Sequence, residues 1–204
     1  MTRVWLIRHG EPLQAESSQR CYGSLDIGLS EKGRAQMRCV AEYLKDESVS
    51  AIYTSPFSRA LESARLIAPS ASCPIEALED LREIDFGDFE GLSYDEIASR
   101  FPDLYKQWME TPTEIRFPHG ECFSQMHTRV LDAFRKIHRE REDQTVAIVS
   151  HGGVNRILIA WALNMPDHSV FRLAQDFGAI SLMTFADGIP SVQLMNLRPA
   201  IWKS

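Results

Sequence analysis

The stretch Val4–Glu11, which reads VWLIRHGE, decides the fold class of this chain. Its first four residues are apolar without interruption, which is typical of a short strand buried on both faces of a parallel sheet. Arg8 and His9 follow at the end of that strand, and the glycine after them allows a sharp turn. A second histidine followed by glycine, His151, comes directly after another apolar strand, at residues 146–149 and a serine. We therefore predict that two buried strands bring two histidines to face each other in one site.

Strands and amphipathic helices alternate along the rest of the chain. Apolar residues at helical spacing predict a helix capped by Ser30, and the run at 51–54 predicts a strand. Ser55 and Pro56 are predicted to be the N-cap and first residue of the next helix. An Asp-Gly pair at 187–188 predicts a hairpin between two late strands. This alternation is typical of an α/β fold, a three-layer α/β/α sandwich with a mostly parallel central sheet and an antiparallel edge strand.

Residues 81–120 differ from the rest of the chain in their many aromatic and charged side chains. A capping box from Ser93 to Glu96 predicts a short helix there, and prolines interrupt the remainder. We predict one domain over residues 1–204, in which 81–120 is an insertion that covers one side of the site. Four aromatic residues are candidates for the lining of an apolar pocket, although a place in the core of the insertion explains each of them more simply: Phe101, Tyr105, Trp108 and Phe117.

The composition restricts the classes of function. Of 204 residues, 44% are hydrophobic and 25% charged, as in ordinary globular proteins. A net charge of −6 argues against a nucleic-acid partner, so an anionic substrate needs a local cluster of cations. We find neither an apolar run long enough for a membrane span nor a signal-peptide pattern, and we expect no membrane partner. Four irregularly spaced cysteines favour reduced thiols in a cytoplasmic protein. The oligomeric state stays open, a homodimer included.

Two arginines at predicted strand ends add positive charge beside the histidines. Arg8 ends the first strand, and Arg59 comes shortly after the strand at 51–54. Guanidinium groups pair with phosphate oxygens in a bidentate manner and stay charged. Because clustered cations are costly without a counter-charge, the pattern indicates a phosphorylated substrate.

Cleavage of a phosphate ester also needs a proton donor for the leaving group. Three carboxyl groups close to apolar residues are candidates, and composition does not choose among them: Glu83, Asp85 and Asp88. Asp88 and Glu90 are also explained as ordinary solvated charges. Cys21 lies in a loop near the cations, and we predict thiolate character and oxidant sensitivity for it.

Four motifs occur in order along the chain: LIRHGE at 6–11, SPxxRA at 55–60, LxExxxGxxEG at 81–91 and SHGG at 150–153. Together they resemble the histidine phosphatase superfamily, the phosphoglycerate mutase-like clan. The similarity extends from residue 4 to about residue 197. The third motif is similar to the phosphatase branch, which includes α-ribazole-5'-phosphate phosphatases.

The resemblance implies a reaction without metal or cofactor on a small phosphorylated metabolite of the α-ribazole phosphate or sugar phosphate type. It makes His9 the nucleophile that becomes phosphorylated, which divides one difficult displacement into two easier ones. It makes Glu83 the acid that protonates the leaving group. The residues that it implies hold the phosphoryl group or the substrate are Arg8, Arg59, His151, Tyr22, Gly23 and Gly152. We expect His151 to help most as a cation hydrogen-bonded to phosphate.

One stretch departs from the family pattern. Members commonly have a threonine after the Arg-His-Gly-Glu motif and, a few residues later, an asparagine that contacts phosphate. This chain has Pro12 and Ala15 in those places. Gln14 and Ser17 are candidates to replace the asparagine contact.

Two other functions and a metal site compete with this interpretation. A cofactor-dependent phosphoglycerate mutase needs a second phosphate site, but residues 83–86 read Glu-Ile-Asp-Phe and lack the cation of the mutase segment Glu-Arg-His-Tyr. A catalytically silent phosphate-binding protein would not need the full set of catalytic groups. His119, Glu121 and Cys122 offer metal-ligand types without a known metal spacing, so we predict no metal.

Overall fold

The computed structural model describes residues 1–13, 20–68 and 73–200, and within these ranges the chain forms one sheet and six α-helices. The strands are β1 (Thr2–Arg8), β2 (Val49–Thr54), β3 (Ile75–Ala77), β4 (Thr145–Ser150), β5 (Ile180–Ala186) and β6 (Ile189–Leu197). The helices are α1 (Glu31–Leu44), α2 (Ser58–Ile67), α3 (Tyr94–Arg100), α4 (Pro102–Glu110), α5 (Phe123–Glu140) and α6 (Gly152–Ala162). Among the described residues, no helix combines the length and the apolar character that crossing a membrane requires.

The sheet has the strand order β3-β2-β4-β1-β5-β6. The strands β3, β2, β4 and β1 pair in parallel, β5 runs antiparallel to β1, and β6 pairs antiparallel with β5. This confirms the predicted mostly parallel sheet with an antiparallel edge. The chain moves from β1 outward to β2 and β3 and then returns to insert β4 beside β1. Because Arg8 is in register with Ser150, His9 and His151 leave the sheet side by side.

Buried strand residues alternate between two helical layers, because successive side chains point to opposite faces of a sheet. Leu6 and Ile148 pack in the layer of α5 and α6. Their neighbours Ile7 and Val149 pack in the layer of α1 and α2. The continuous apolar runs are therefore explained by burial on both faces, and the α/β/α sandwich is confirmed.

The predicted helix starts differ in accuracy. Ser30 caps α1 by accepting a hydrogen bond from the backbone N–H of Gly33 at 3.0 Å, as predicted. The capping box at Ser93 is also present. The prediction for Ser55 and Pro56 is wrong, because α2 begins only at Ser58.

The start of α2 is capped from a distant loop. The carboxylate of Asp26 accepts hydrogen bonds from the backbone N–H of Ser58 at 2.6 Å and from its hydroxyl at 2.8 Å. A cap supplied by another segment leaves no signal next to the helix in the sequence. Ser55 is therefore not the N-cap of α2, and its hydroxyl oxygen lies within hydrogen-bond distance of His151.

Residues 81–120, which we call the cover segment, contain α3, α4 and an aromatic cluster of their own. Phe89, Trp108 and Phe117 are buried in that cluster, with Phe101 and Tyr105 packed against it. Trp108 and Phe117 also line the cavity described below, whereas Phe101 and Tyr105 are not among its lining residues. Two of the four aromatic candidates therefore face the site.

Candidate active site

A cavity of about 380 Å³ lies beyond the carboxyl ends of β1, β2 and β4, where ligands bind in open α/β sheets. One side of the cavity is lined by residues that the sequence predicted to bind phosphate, and the other side is lined by the cover segment. Lining residues among the predicted site residues are Arg8, His9, Tyr22, Arg59, Glu83 and His151. Gly23 and Gly152 are not among the lining residues.

His9 directly follows β1 and is held at a fixed angle. Its backbone N–H donates to the carbonyl of Ser150 at 2.9 Å, and only 4% of the residue is exposed. Its Nδ1 lies 2.7 Å from the carbonyl oxygen of Gly10. Because a carbonyl only accepts, Nδ1 carries the proton and Nε2 keeps a lone pair. His9 therefore presents a nucleophilic nitrogen.

Burial keeps His9 uncharged. Desolvation, and next the positive charges of Arg59 and Arg8, hold the pKa of His9 well below its usual value. At neutral pH the imidazole is thus neutral, as a nitrogen nucleophile must be.

His151 faces His9, with ring centroids 5.0 Å apart. Its Nε2 lies 2.8 Å from the hydroxyl oxygen of Ser55, while its buried Nδ1 has no hydrogen-bond partner among the described residues. Burial, and then the charge of Arg59, hold the pKa of His151 well below its usual value. At neutral pH this imidazole is therefore neutral, and a cationic His151 hydrogen-bonded to phosphate stays a prediction.

Arg8 supplies a charge beside His9. Its guanidinium lies 3.8 Å from the centroid of the Phe177 ring, and its Nη1 donates to the carbonyl of Gln175. Burial lowers the pKa of Arg8 to about 10, so it remains a cation at neutral pH. Its buried Nε has no partner in the described parts of the chain. That N–H group is available to a ligand.

Arg59 is almost fully buried, with 1% exposed. It donates from Nη1 to the carbonyl of Leu25 and from Nη2 to that of Gly23, each at 2.7 Å. Burial lowers its pKa. Gly23 therefore contributes by orienting Arg59 through its carbonyl. Tyr22, unlike Gly23, lines the cavity itself, and its buried hydroxyl has no hydrogen-bond partner among the described residues.

Glu83 is the carboxylate at the cavity among the three acid candidates. Its oxygens accept from the backbone N–H groups of Ile84 and Gly153, each at 3.0 Å. A side chain at Gly153 would collide with this carboxyl group. Asp85 instead accepts from a backbone N–H within the cover segment, and the exposed Asp88 pairs with a surface histidine.

Sequence reasoning missed Arg156, a further cation of the cavity wall. It lies in α6, and its Nε donates to the carbonyl of Leu173 at 2.9 Å. Its terminal nitrogens have no hydrogen-bond partner within residues 1–13, 20–68 and 73–200. Arg156 is four residues after Gly152, one helical turn further along α6, so it lies on the same face of the helix as the start that faces the site. This spacing could have predicted Arg156 from the sequence.

Sequence reasoning also misjudged Glu90 as a solvated charge. Its carboxylate accepts from the backbone N–H groups of Gly23 at 3.0 Å, Ser24 at 2.7 Å and Phe86 at 3.0 Å. It thereby ties the loop that orients Arg59 to the cover segment. A carboxylate with several backbone donors is a structural anchor.

Other predictions concern single residues. Cys21 is buried, and burial followed by the charge of Glu90 raises the pKa of its thiol to about 12, so the predicted thiolate character is wrong. Pro12 lines the cavity. Ala15, which stands in place of the family's asparagine, lies outside the described residues. So do Gln14 and Ser17, the two candidates to replace the asparagine contact.

The side chains of metal-ligand type at residues 119–122 do not converge. His119 pairs with Asp88, whereas Glu121 forms an ion pair with Arg129 at 2.8 Å. The described ranges contain no group of three His, Cys, Asp or Glu side chains that could hold a metal ion.

Residues 4–198 match the family described as Histidine phosphatase superfamily (branch 1). The chain belongs to this superfamily. It is 35% identical over 197 residues to a bifunctional protein of Mycobacterium tuberculosis, covering 96% of this chain but only 54% of that relative. The chain thus spans about half the length of the first curated relatives it matches.

Two further similarities concern named phosphatases. A metal-independent phosphoserine phosphatase of Arabidopsis thaliana is 34% identical over 206 residues, which cover 99% of this chain and 79% of the relative. A crystal structure of a putative α-ribazole-5'-phosphate phosphatase from Escherichia coli has a TM-score of 0.90 and 26% identity, covering 97% of each chain.

Proposed function

We propose that this chain hydrolyses phosphomonoesters of small metabolites through a phosphohistidine on His9, without a metal. The observation that carries the proposal is the nucleophilic Nε2 of a neutral His9 set among Arg8, Arg59 and the unpartnered Nδ1 of His151. A phosphate dianion offers oxygens to Nε of Arg8 and Nδ1 of His151, which have no partner among the described residues, and its charge complements the two guanidinium groups.

In the first half-reaction, Nε2 of His9 attacks phosphorus and the bond to the ester oxygen breaks. Glu83 in its acid form gives its proton to the departing alkoxide. Arg8 and Arg59 stabilise the charge on the equatorial oxygens of the loose transition state.

In the second half-reaction, the Glu83 carboxylate takes a proton from water, and the resulting hydroxide attacks phosphorus. The P–N bond breaks, which releases inorganic phosphate and restores neutral His9. The N–H of Gly153 at the start of α6 stabilises the Glu83 carboxylate between the two halves.

The aromatic side of the cavity favours a leaving group with a flat or ring-shaped apolar face. Tyr94 stacks on Trp108 with ring centroids 5.4 Å apart, and Phe86 and Phe117 complete this wall. A nucleoside-like ester such as α-ribazole 5'-phosphate, or a sugar phosphate, matches this surface.

Arg156 favours a second candidate class, esters whose leaving group carries an anion. Its free terminal nitrogens match a carboxylate, and one relative is named a phosphoserine phosphatase. The values of kcat/KM for α-ribazole 5'-phosphate, phosphoserine, 3-phosphoglycerate and sugar phosphates rank the two classes. If the anionic class is correct, Arg156→Met raises KM for phosphoserine and leaves KM for p-nitrophenyl phosphate within about twofold.

Covalent labelling tests the reaction itself. The protein is mixed with radiolabelled phosphoester in excess chelator, quenched in base and examined for an acid-labile phosphoprotein. Label is expected on the wild type and on His168→Ala, which changes an exposed histidine, and none on His9→Gln. Hydrolysis that stops in chelator and returns with metal contradicts the metal-free proposal, and label that persists in His9→Gln contradicts the nucleophile.

A further inference from the structure

Ser55 lies at the end of β2, against the imidazole of His151. Pairing of β2 with β4 continues past the strands, because the backbone N–H of Ser55 donates to the carbonyl of Val149 at 3.1 Å. This register brings Oγ of Ser55 to 2.8 Å from Nε2 of His151. Both residues are buried, with 0% and 1% exposed, so water does not compete for this contact.

The remaining bonds of the Ser55 hydroxyl limit how this contact is made. A serine hydroxyl has one proton to donate and two lone pairs to accept with. The backbone N–H of Phe57 donates to Oγ at 3.3 Å and occupies one lone pair. The proton and one lone pair remain for His151.

Two assignments of the proton are open, and they differ in cost. If Nε2–H of His151 donated to Ser55, the Ser55 proton would have no acceptor among the described residues, and Nδ1 would offer only a lone pair to a phosphoryl oxygen. Two lone pairs that face each other repel, and a buried unsatisfied hydroxyl is costly. If Ser55 donates to Nε2, both groups are satisfied and Nδ1 carries a proton.

We propose that Ser55 is a positioning residue, which donates its proton to Nε2 of His151 and thereby fixes the tautomer that presents Nδ1–H to the phosphoryl group. His151 then acts as a neutral hydrogen-bond donor, and the arginines supply the charge. This agrees with the depressed pKa of His151. The kinetic consequence depends on the proposed phosphatase activity, whereas the tautomer does not.

Nitrogen NMR of the full chain tests the tautomer directly. The protein is labelled with ¹⁵N-histidine in phosphate-free buffer at about pH 7.5, and the signals of His151 are assigned by comparison with His151→Gln. Multiple-bond ¹⁵N–¹H correlations are expected to show a neutral ring protonated at Nδ1. A ring protonated at Nε2, or at both nitrogens, overturns the proposal.

Variants connect the tautomer to turnover. Ser55→Ala is expected to lose the single tautomer and to lower kcat by about 10- to 100-fold with little change in KM, less than the loss of a direct donor in an oxyanion site. Ser55→Thr keeps the hydroxyl and is expected to restore both. Thr54→Val, a matched control, removes the neighbouring buried hydroxyl, which bonds only backbone carbonyls, and leaves the His151 signals unchanged.

The failures are distinguishable. A Ser55→Ala protein that keeps both the tautomer and kcat overturns the inference. If Ser55→Ala does not fold, the wild-type tautomer alone decides. If the wild type hydrolyses no phosphomonoester, the proposed function fails while the NMR result still tests Ser55.

Discussion

The two sides of the cavity are held in place by different kinds of contact. On the sheet side, His9 and His151 directly follow paired strands, so backbone hydrogen bonds fix their positions. On the other side, the cover segment is attached by two backbone hydrogen bonds to Cys21 and by side chains that bond to backbone groups. Glu90 accepts from the loop before Asp26, and Arg129 donates to the backbone carbonyls of Arg82 and Glu83.

We therefore expect the sheet side of the cavity to determine the reaction and the cover segment to determine which substrates are accepted. If the chain is the proposed phosphatase, groups fixed by a parallel sheet keep their geometry whatever the leaving group is, whereas the side-chain attachments of the cover segment can differ from one substrate complex to another. Sheet-side substitutions should therefore reduce turnover of every substrate, and cover-segment substitutions should depend on the substrate or act through the loop.

The largest effect is expected on the sheet side. His9→Ala removes the proposed nucleophile and is expected to lower kcat at least about 10⁴-fold with each substrate. Steady-state assays with p-nitrophenyl phosphate and an alkyl phosphate measure this. Loss confined to one of the two substrates would contradict a substrate-independent sheet side. His168→Ala serves as the histidine control.

A smaller and substrate-dependent effect is expected at Glu83. Glu83→Gln cannot donate a proton, so kcat for an alkyl phosphate should fall about 10²- to 10³-fold. The fall should be much smaller for p-nitrophenyl phosphate, whose leaving group needs little protonation. Asp85→Asn, a nearby carboxylate outside the cavity lining, is the control. Equal losses with both esters would argue against the role of general acid.

The attachment between the two sides is tested at Glu90. Glu90→Gln weakens its bonds to the loop that orients Arg59, and kcat/KM is expected to fall about tenfold, the equivalent of 1.4 kcal/mol. Asp88→Asn changes an exposed carboxylate two residues away and should leave kcat/KM unchanged. Identical values for both variants would show that the loop does not depend on Glu90.

The smallest effect concerns stability against pH. The pKa values of His9 and His151 lie below the usual 6.5 in the folded protein, so on acidification the unfolded chain takes up protons before the folded one does. The free energy of unfolding should therefore fall below about pH 6.5, by up to about 1.4 kcal/mol per pH unit for each histidine. Urea denaturation in phosphate-free buffer measures it. The slope should be shallower in His9→Gln than in the wild type; an unchanged slope in His9→Gln contradicts the prediction.

The sheet side could be predicted from sequence because its signals are local. An uninterrupted apolar run followed by Arg8 and His9 indicates both a buried strand and its active end, and the same pattern recurs before His151. Local signals also predicted the caps at Ser30 and Ser93. The start of α2 was not predictable, because its cap comes from Asp26 in another segment.

The cover segment was harder to predict from residue types alone, because its residues act through contacts with segments distant in the sequence. Residue type alone does not separate Glu83 from Asp85 and Asp88. The family resemblance selects Glu83, and the fold brings its carboxylate to the start of α6. In the sequence Glu90 resembles a surface charge, but in the fold four backbone N–H groups donate to its carboxylate. The pKa directions of His151 and Cys21 depend on burial in three dimensions, which composition does not reveal.

The strand order also has a consequence for folding. Because β4 inserts between β1 and β2 late in the sequence, the two histidines meet only when the middle of the sheet closes. Contacts between such distant segments slow folding, so this closure is expected to be a late step. An anion that binds the residues after β1 and after β4 together stabilises only the protein in which both strands are in the sheet. Inorganic phosphate should thus slow unfolding of this protein, and its binding should report the moment at which the last central strand is in place.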